Sequence, residues 1–348
     1  MVKNLKLGLG LGYWGSGPAQ GQQDLIKLAE DLGFDSMWTA EAYGSDAFTP
    51  LAWFGKETSK IKFGTGIVQM ANRTPTGTAM AAMTLDILSE GRVLLGIGAS
   101  GPQVVEGWYG QPYPKPLART REYITVLRQA MAREVVEFHG EQFDFPFKGT
   151  NERPAAGLGK ALKSTLHPIR PMIPILLAAE GPKNVALAAE IADGWIAMLY
   201  SPHSDFYTKA LAEGFAAADE PGKQDRFEVV CSCPVRVDDD IERAADTVRP
   251  FLALYVGGMG AKGANFHYDA IARLGFEEEC AKIQELYLTG RKEEALKAVS
   301  LEMVDKIALI GPKERIKDNL EAWRESPVTT LNVSGDPDTL RVIAELVL

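Results

Sequence analysis

Two stretches of this chain decide its fold: Lys60-Ile-Lys-Phe-Gly-Thr-Gly-Ile-Val-Gln-Met-Ala-Asn-Arg-Thr-Pro75 and Gly91-Arg-Val-Leu-Leu-Gly-Ile-Gly-Ala-Ser-Gly-Pro102. Each has the apolar run of a buried strand and stops on glycines. Glycine lacks a Cβ and tolerates positive φ, so it lets bare backbone approach another group. Where neighbouring parallel strands end in this way, that group is usually a flat or phosphorylated cofactor. The two stretches therefore predict a cofactor at the carboxyl ends of a parallel sheet.

The rest of the chain alternates short apolar strands with amphipathic helices. Strands are predicted at Leu5–Leu11, Ser36–Thr39, Lys62–Val68, Arg92–Ile97, Ile173–Ala178, Trp195–Leu199, Glu228–Val237 and Thr329–Val333. Helix starts are predicted at pairs ending in proline, namely Thr49-Pro50, Thr74-Pro75, Gly181-Pro182, Gly311-Pro312 and Asp336-Pro337. Eight such units in 348 residues predict an α/β fold, a closed (β/α)8 TIM barrel in one domain, residues 1–348.

Two insertions break the alternation, near residues 138–170 and 251–300. Phe138–Arg170 is rich in glycine, proline and aromatic residues, which predicts a long loop with a short strand near Gln142–Phe145. Phe251–Ser300 contains the glycine-rich run Gly257–Gly263, predicted to be flexible, followed by helices. Long insertions in compact enzymes tend to be lids or substrate walls.

Composition excludes several classes of function. A net charge of −9 argues against a nucleic-acid or membrane-surface partner. Three cysteines make no disulfide framework, and Cys231 and Cys233, two apart on an apolar strand, are expected to be buried thiols. The four histidines lack metal-ligand spacing. Without a signal pattern or an apolar run of about 20 residues, the sequence predicts a cytoplasmic protein with a small-molecule substrate.

A dinucleotide-binding fold is the first alternative. The pattern G-x-G-x-x-G occurs twice, at Gly10, Gly12 and Gly15 and at Gly96, Gly98 and Gly101. In that fold a helix opens on the third glycine. Here Ser16-Gly-Pro-Ala-Gln-Gly21 follows the first match and cannot open a helix on the third glycine. In the second match Pro102 follows at once, and no strand with a terminal acid comes at the right distance. We therefore prefer the barrel.

The third strand carries the first candidate cofactor contacts. Gly66 precedes Ile67 and Val68, and polar Gln69 follows. A bulge here would turn an apolar side towards a planar ring. An ordinary strand end with a glycine kink is the alternative.

The second candidate is Glu180-Gly181-Pro182-Lys183, which runs from a strand into a helix. A helix amino terminus with a free amide and a lysine in its first turn predicts a phosphate site. A solvated lysine is the alternative.

Catalytic candidates follow several strands at their carboxyl ends, where barrels keep their chemistry. They are Tyr13, Trp14, Glu41, Tyr43, Asp46, Glu106 and Trp108. For the tryptophans, packing is an equal alternative. No nucleophile elbow or P-loop is present in the sequence.

Taken together, five segments resemble the luciferase-like monooxygenase superfamily, in its branch that uses the deazaflavin coenzyme F420. They are Glu41–Ala52, Gly64–Gln69, Leu85–Gly98, Arg119–Tyr123, and Glu180–Lys183 with Ile191–Trp195. The resemblance implies a TIM barrel, a homodimer, and a non-prolyl cis peptide at Gly66-Ile67 that presses on the cofactor ring. It also implies cofactor contacts from Glu41, Gly66, Ile67, Val68, Gly98, Ala99, Ser100, Glu180, Gly181, Pro182, Lys183 and Met198.

The resemblance implies hydride transfer between the deazaflavin C5 and a small organic substrate, with Glu41, or else Tyr43, as the proton-transfer group. Related sugar-phosphate and alcohol dehydrogenases carry histidine at the position of Glu41 and glutamate at that of Pro102 or Gln103, which argues against those substrates. Two alternatives stay open: an FMN-dependent monooxygenase with a separate flavin reductase, and a non-catalytic flavin or deazaflavin carrier.

Overall fold

The computed structural model describes residues 4–150, 152–157, 159–260 and 262–348. Eight parallel strands form a closed barrel: β1 Lys6–Gly12, β2 Ser36–Thr39, β3 Lys62–Thr65 with its continuation Val68–Gln69, β4 Val93–Gly98, β5 Ile175–Ala178, β6 Gly194–Ala197, β7 Glu228–Ser232 and β8 Thr330–Val333. They are ordered β3-β2-β1-β8-β7-β6-β5-β4, and β4 pairs back onto β3. The predicted (β/α)8 barrel is confirmed.

Helices cover the outside of the barrel at Gln22–Asp31, Phe48–Gly55, Pro75–Leu88, Pro102–Gly107, Pro116–Met131, Pro182–Ile191, Phe206–Ala217, Lys313–Glu325 and Pro337–Val347. Within the described ranges, no helix is both long and apolar enough to cross a membrane. Thr74 caps its helix as predicted, but the start at Thr49-Pro50 is wrong. That helix begins at Phe48, because Asp46 Oδ1 accepts hydrogen bonds from the amides of Phe48 and Thr49 at 2.9 Å.

The barrel interior is filled by Trp38. Its indole Nε1 donates to Ser36 Oγ at 2.8 Å, and the ring packs against Leu176 and Ile196. A Cβ on Gly64 would lie 2.3 Å from the Trp38 ring, so glycine is required there. Because side chains fill the barrel, a ligand must bind at its end and not along its axis.

The first insertion contains two short strands, Phe138–His139 and Asp144–Phe145, paired as an antiparallel hairpin. The single strand predicted near Gln142–Phe145 was therefore incomplete. The predicted strand Glu228–Val237 is also corrected. It ends at Ser232, and after Pro234 the residues Val235–Val237 leave the barrel to pair with Leu309–Gly311.

The second insertion is helical, with helices at Arg249–Gly258, Phe266–Ile271, Glu277–Leu288 and Lys292–Lys297 and a π-helical turn at Ala272–Phe276. Helices at Ile241–Asp246 and Leu301–Asp305 flank it, outside the predicted bounds of 251–300. It has its own apolar core, which includes Leu199 just after β6. The glycine-rich run was predicted to be flexible throughout. Gly257 and Gly258 instead end a helix, where a Cβ would lie about 2.5 Å from Tyr287, and Ala261 lies outside the described residues.

Candidate active site

The interruption of β3 is the central feature of the carboxyl end of the barrel. The peptide bond Gly66–Ile67 is cis. Before it, Phe63 and Gly64 pair with β4, and after it pairing resumes at Val68 and Gln69. Gly66 and Ile67 are half-buried between fully buried neighbours. The bulge is confirmed, and an ordinary strand end is excluded.

Ile67 lies across the end of β4. A Cβ on Gly98 would come within 2.5 Å of Ile67 Cδ1, so glycine lets Ile67 keep this position and a larger residue would displace it. Ala99 and Ser100 follow, both half-buried, and Ser100 has a positive φ of 60°. Together, Ile67, Gly98 and Ala99 form a small apolar platform at the barrel mouth. Such a platform suits one face of a planar ring.

Glu41, just after β2, bonds to residues that follow the bulge in β3. Its side chain is buried, with 3% exposed. Arg73 Nη1 lies 3.0 Å from both carboxylate oxygens. The amides of Gln69 at 2.9 Å and Ala47 at 3.1 Å also donate to them, as does Asn72 Nδ2 at 3.2 Å. An ionised carboxylate only accepts hydrogen bonds. The donors to Glu41 come from the loop after β2, from the strand after the bulge and from the turn that follows, and they tie β2 to the bulge.

The helix that follows β5 begins at Pro182 with Gly181 as its amino-terminal cap. Among the described residues, no side chain caps this terminus and no atom lies within 4 Å of a Cβ placed on Gly181. The first amides of a helix lack intrahelical acceptors and attract anions. Lys183 is exposed in the first turn. These residues provide the donors and the open space that a phosphate needs.

The Glu180 side chain is hydrogen-bonded to His267, a partner that the sequence did not indicate. Its Oε1 accepts a hydrogen bond from His267 Nδ1 at 2.8 Å. Its Oε2 is buried and has no partner among the described residues. Met198, predicted as a cofactor contact, is half-buried against the core of the second insertion. No local signal could have revealed the pair, because its members are 87 residues apart.

Of the remaining candidate catalytic residues, some are exposed at the mouth of the barrel and others pack within the protein. Tyr43 is 52% exposed and lies against Trp108, with ring centroids 6.4 Å apart. Trp14 packs edge-on against Phe54 and serves the scaffold.

Asp46 also belongs to the scaffold. Partial burial opposes its ionisation, but the Thr49 and Phe48 amides and Arg73 outweigh this and lower the pKa of the Asp46 carboxyl. Val68 is fully buried in the main core, so only its backbone is open to a ligand. Glu106 is exposed.

A family model for luciferase-like monooxygenases matches residues 9–330. The chain belongs to this family. A Mycobacterium tuberculosis protein, provisionally named a coenzyme F420-dependent oxidoreductase, is 48% identical over the full length of both chains. A 5,10-methylenetetrahydromethanopterin reductase of Archaeoglobus fulgidus is 28% identical, covering 90% of this chain and 88% of that protein.

A solved structure with the same fold is the coenzyme F420-dependent tetrahydromethanopterin reductase of Methanopyrus kandleri. It covers 98% of both chains with a TM-score of 0.77 and 23% sequence identity. This likeness supports the luciferase-like barrel. The family assignment stands on the sequence matches.

Proposed function

We propose that this protein is a coenzyme F420-dependent oxidoreductase. It transfers a hydride between the deazaflavin C5 and a small organic substrate. The observation that carries the proposal is the platform made by the β3 bulge, where Ile67 lies across Gly98. The provisional name of the relative at 48% identity and the names of the methanopterin reductases support the choice of cofactor.

The cofactor fits two features of the mouth. The ring and ribityl chain would lie on Ile67, Gly98, Ala99 and Ser100, with the bulge backbone at Gly66 and Val68 behind them. The phosphate would accept hydrogen bonds from amides at the helix terminus of Gly181 and attract Lys183. When bound, the deazaflavin supplies or accepts the hydride, and the chain supplies orientation, shielding and a proton.

Glu41, in this proposal, positions the bulge and does not donate a proton. Both of its oxygens already accept hydrogen bonds, and Arg73 neutralises its charge. A general acid must carry a proton and reach the substrate. Tyr13, Tyr43 and Trp108 are the exposed aromatic residues at the mouth, and we assign them to the substrate wall.

Anaerobic oxidation of reduced F420 by a panel of small ketones and enones tests the function. We expect F420 oxidation that depends on both enzyme and acceptor. Oxygen consumption with reduced FMN and a flavin reductase, without F420 turnover, would establish the monooxygenase alternative. Tight F420 binding without turnover by any acceptor would favour the carrier.

We further propose a homodimer that buries the exposed apolar face of two helices. Trp53 on Phe48–Gly55 is 76% exposed, and Met80 and Leu88 on Pro75–Leu88 are 64% and 72% exposed. A second copy of the chain is the proposed occupant, because the resemblance to the luciferase-like family implies a homodimer and these two contacting helices expose three large apolar side chains. Light scattering should show a dimer for the wild type.

The variant Trp53→Glu should be a monomer, because a carboxylate in a dimer core is costly to desolvate. Val135→Glu changes another exposed apolar residue outside this face and should stay dimeric. A dimeric Trp53→Glu would refute this interface.

The barrel and its insertions form one domain in our proposal, since Leu199 belongs to the core of the second insertion.

A further inference from the structure

An imidazole–carboxylate pair, His267 and Glu180, links the second insertion to the end of β5. The two side chains are 23% and 12% exposed, and Nδ1 lies 2.8 Å from Oε1. The other three histidines, His139, His167 and His203, are all exposed. His267 is therefore set apart from them by its burial and by its place beside the candidate phosphate site.

The His267 ring is held in one orientation. Asn265 caps its helix, with Oδ1 accepting from the His267 amide at 3.0 Å, and its Nδ2 donates to the Tyr255 and Val256 carbonyls at 2.9 Å. The Tyr255 ring packs edge-on, with centroids 4.8 Å apart. The Glu180 carboxylate fixes the proton on Nδ1. Nε2 forms no hydrogen bond with any described residue and is left for another partner.

Glu180 follows β5, so the pair lies at the carboxyl end of the barrel, the end that also carries the platform. Burial, with smaller contributions from the nearby Tyr13, Glu180 and Tyr43, raises the pKa of Tyr255 to about 12. Tyr13 and Tyr43 follow β1 and β2, so the insertion approaches those strands as well as β5. Several ionisable side chains lie on the elements around the pair, namely Tyr13, Tyr43, Tyr207, Tyr255 and Arg273. Imidazole is the side chain suited to proton transfer near neutral pH.

We propose that His267, oriented by Glu180, is the proton-transfer group of this active site. The inference rests on the proposed function, with reduced deazaflavin as the reductant. As a hydride reaches the carbon of the substrate double bond, the π electron pair moves to the heteroatom. That atom takes the proton from His267 Nε2, and the neutral imidazole regains a proton from solvent. Glu180 is a positioning residue that holds the imidazole ring through Nδ1.

The test compares His267→Asn with His203→Asn, which changes an exposed histidine. Asparagine can keep the hydrogen bond to Glu180 through its amide but cannot transfer a proton. We expect kcat for reduced-F420 oxidation to fall about 100-fold, with F420 affinity and melting temperature nearly unchanged. Unchanged kcat in His267→Asn would overturn the proposal and leave the pair a structural link.

A second measurement needs no turnover. Diethyl pyrocarbonate carbethoxylates accessible imidazoles, and mass spectrometry locates the modified histidines. We expect bound F420 to protect His267, while the three exposed histidines react as before. Equal modification of His267 with and without F420 would overturn the proposal. If the proposed function itself is wrong, the wild-type protein will not bind F420, which separates that failure from a failure of the His267 proposal. In that case the same modification experiment with FMN in place of F420 decides whether His267 faces the bound cofactor.

Discussion

The substitution Glu41→Gln separates a positioning role from a catalytic one. Glutamine matches the size of glutamate but replaces one acceptor oxygen with a donor. If its NH2 takes the Oε2 position, it faces the Ala47 amide and Arg73 Nη1, both of which are donors. Arg73 also loses its main counter-charge. Only 23% of the Arg73 side chain is exposed, so water replaces that charge poorly. One unmet donor, the Ala47 amide, and a broken ion pair place the loss of unfolding free energy at about 3 kcal/mol.

This loss translates into a measurable change in melting temperature. A chain of 348 residues unfolds with an entropy of about 0.7 kcal/mol/K. The expected decrease in Tm is therefore about 4 °C, measured by calorimetry at neutral pH without cofactor. The matched control is Glu106→Gln, which changes an exposed glutamate and should leave Tm unchanged.

F420 affinity should fall together with Tm in Glu41→Gln, because the platform loses the group that ties the bulge to β2. The refuting result is a variant with wild-type Tm and wild-type F420 affinity whose kcat falls 100-fold or more. Glu41 would then be the general acid, as the sequence alone predicted.

Three further substitutions test the site and its scaffold. Gly98→Ala places a Cβ 2.5 Å from Ile67 Cδ1, so Ile67 must turn into the platform, and F420 should bind about tenfold more weakly, or ~1.4 kcal/mol, by fluorescence titration. Lys183→Ala should weaken F420 binding about fivefold at low salt and less at high salt. The Thr339 amide, and more weakly Arg236, lower the pKa of Asp336, so Asp336→Ala should cost about 1 kcal/mol above about pH 4 and progressively less in acid.

Each of these predictions has a matched control. Gly107→Ala adds a methyl group where nothing lies within 4 Å, and Lys209→Ala removes an exposed lysine from the next helix. Asp336→Asn keeps a helix-capping side chain and should lose little stability at pH 7. Equal F420 affinity in Gly98→Ala and Gly107→Ala would contradict the platform. A stability difference between Asp336→Ala and wild type that is as large at pH 2 as at pH 7 would contradict the contribution of the ionised carboxylate.

The fold could be predicted because its determinants are local. Alternating apolar runs and glycine-ended strands placed all eight barrel strands within a few residues. The errors arose where a neighbour decided the outcome. Asp46, not Thr49, starts its helix because the Asp46 carboxylate reaches two amides. The seventh strand stops early because Val235–Val237 finds a different partner in Leu309–Gly311.

The site was only partly predictable, for the same reason. Gly66 in the sequence indicated the β3 bulge. The donors to Glu41 were not indicated, because they come from a loop, a strand and the turn that follows that strand. No motif shows that these donors converge on one carboxylate. The His267–Glu180 pair depends on how the second insertion folds back over the barrel. Its only signal was a histidine inside an insertion, which gave no reason to connect it with the end of β5.

The most direct test of the central claim is a fluorescence titration of the purified protein with coenzyme F420 and, separately, with FMN. We expect saturable F420 binding with one site per chain, weakened in Gly98→Ala and unchanged in Gly107→Ala, and little affinity for FMN. Tight FMN binding without affinity for F420 would contradict the proposed cofactor. F420 binding equally strong in both glycine variants would show that the cofactor lies away from the β3 bulge.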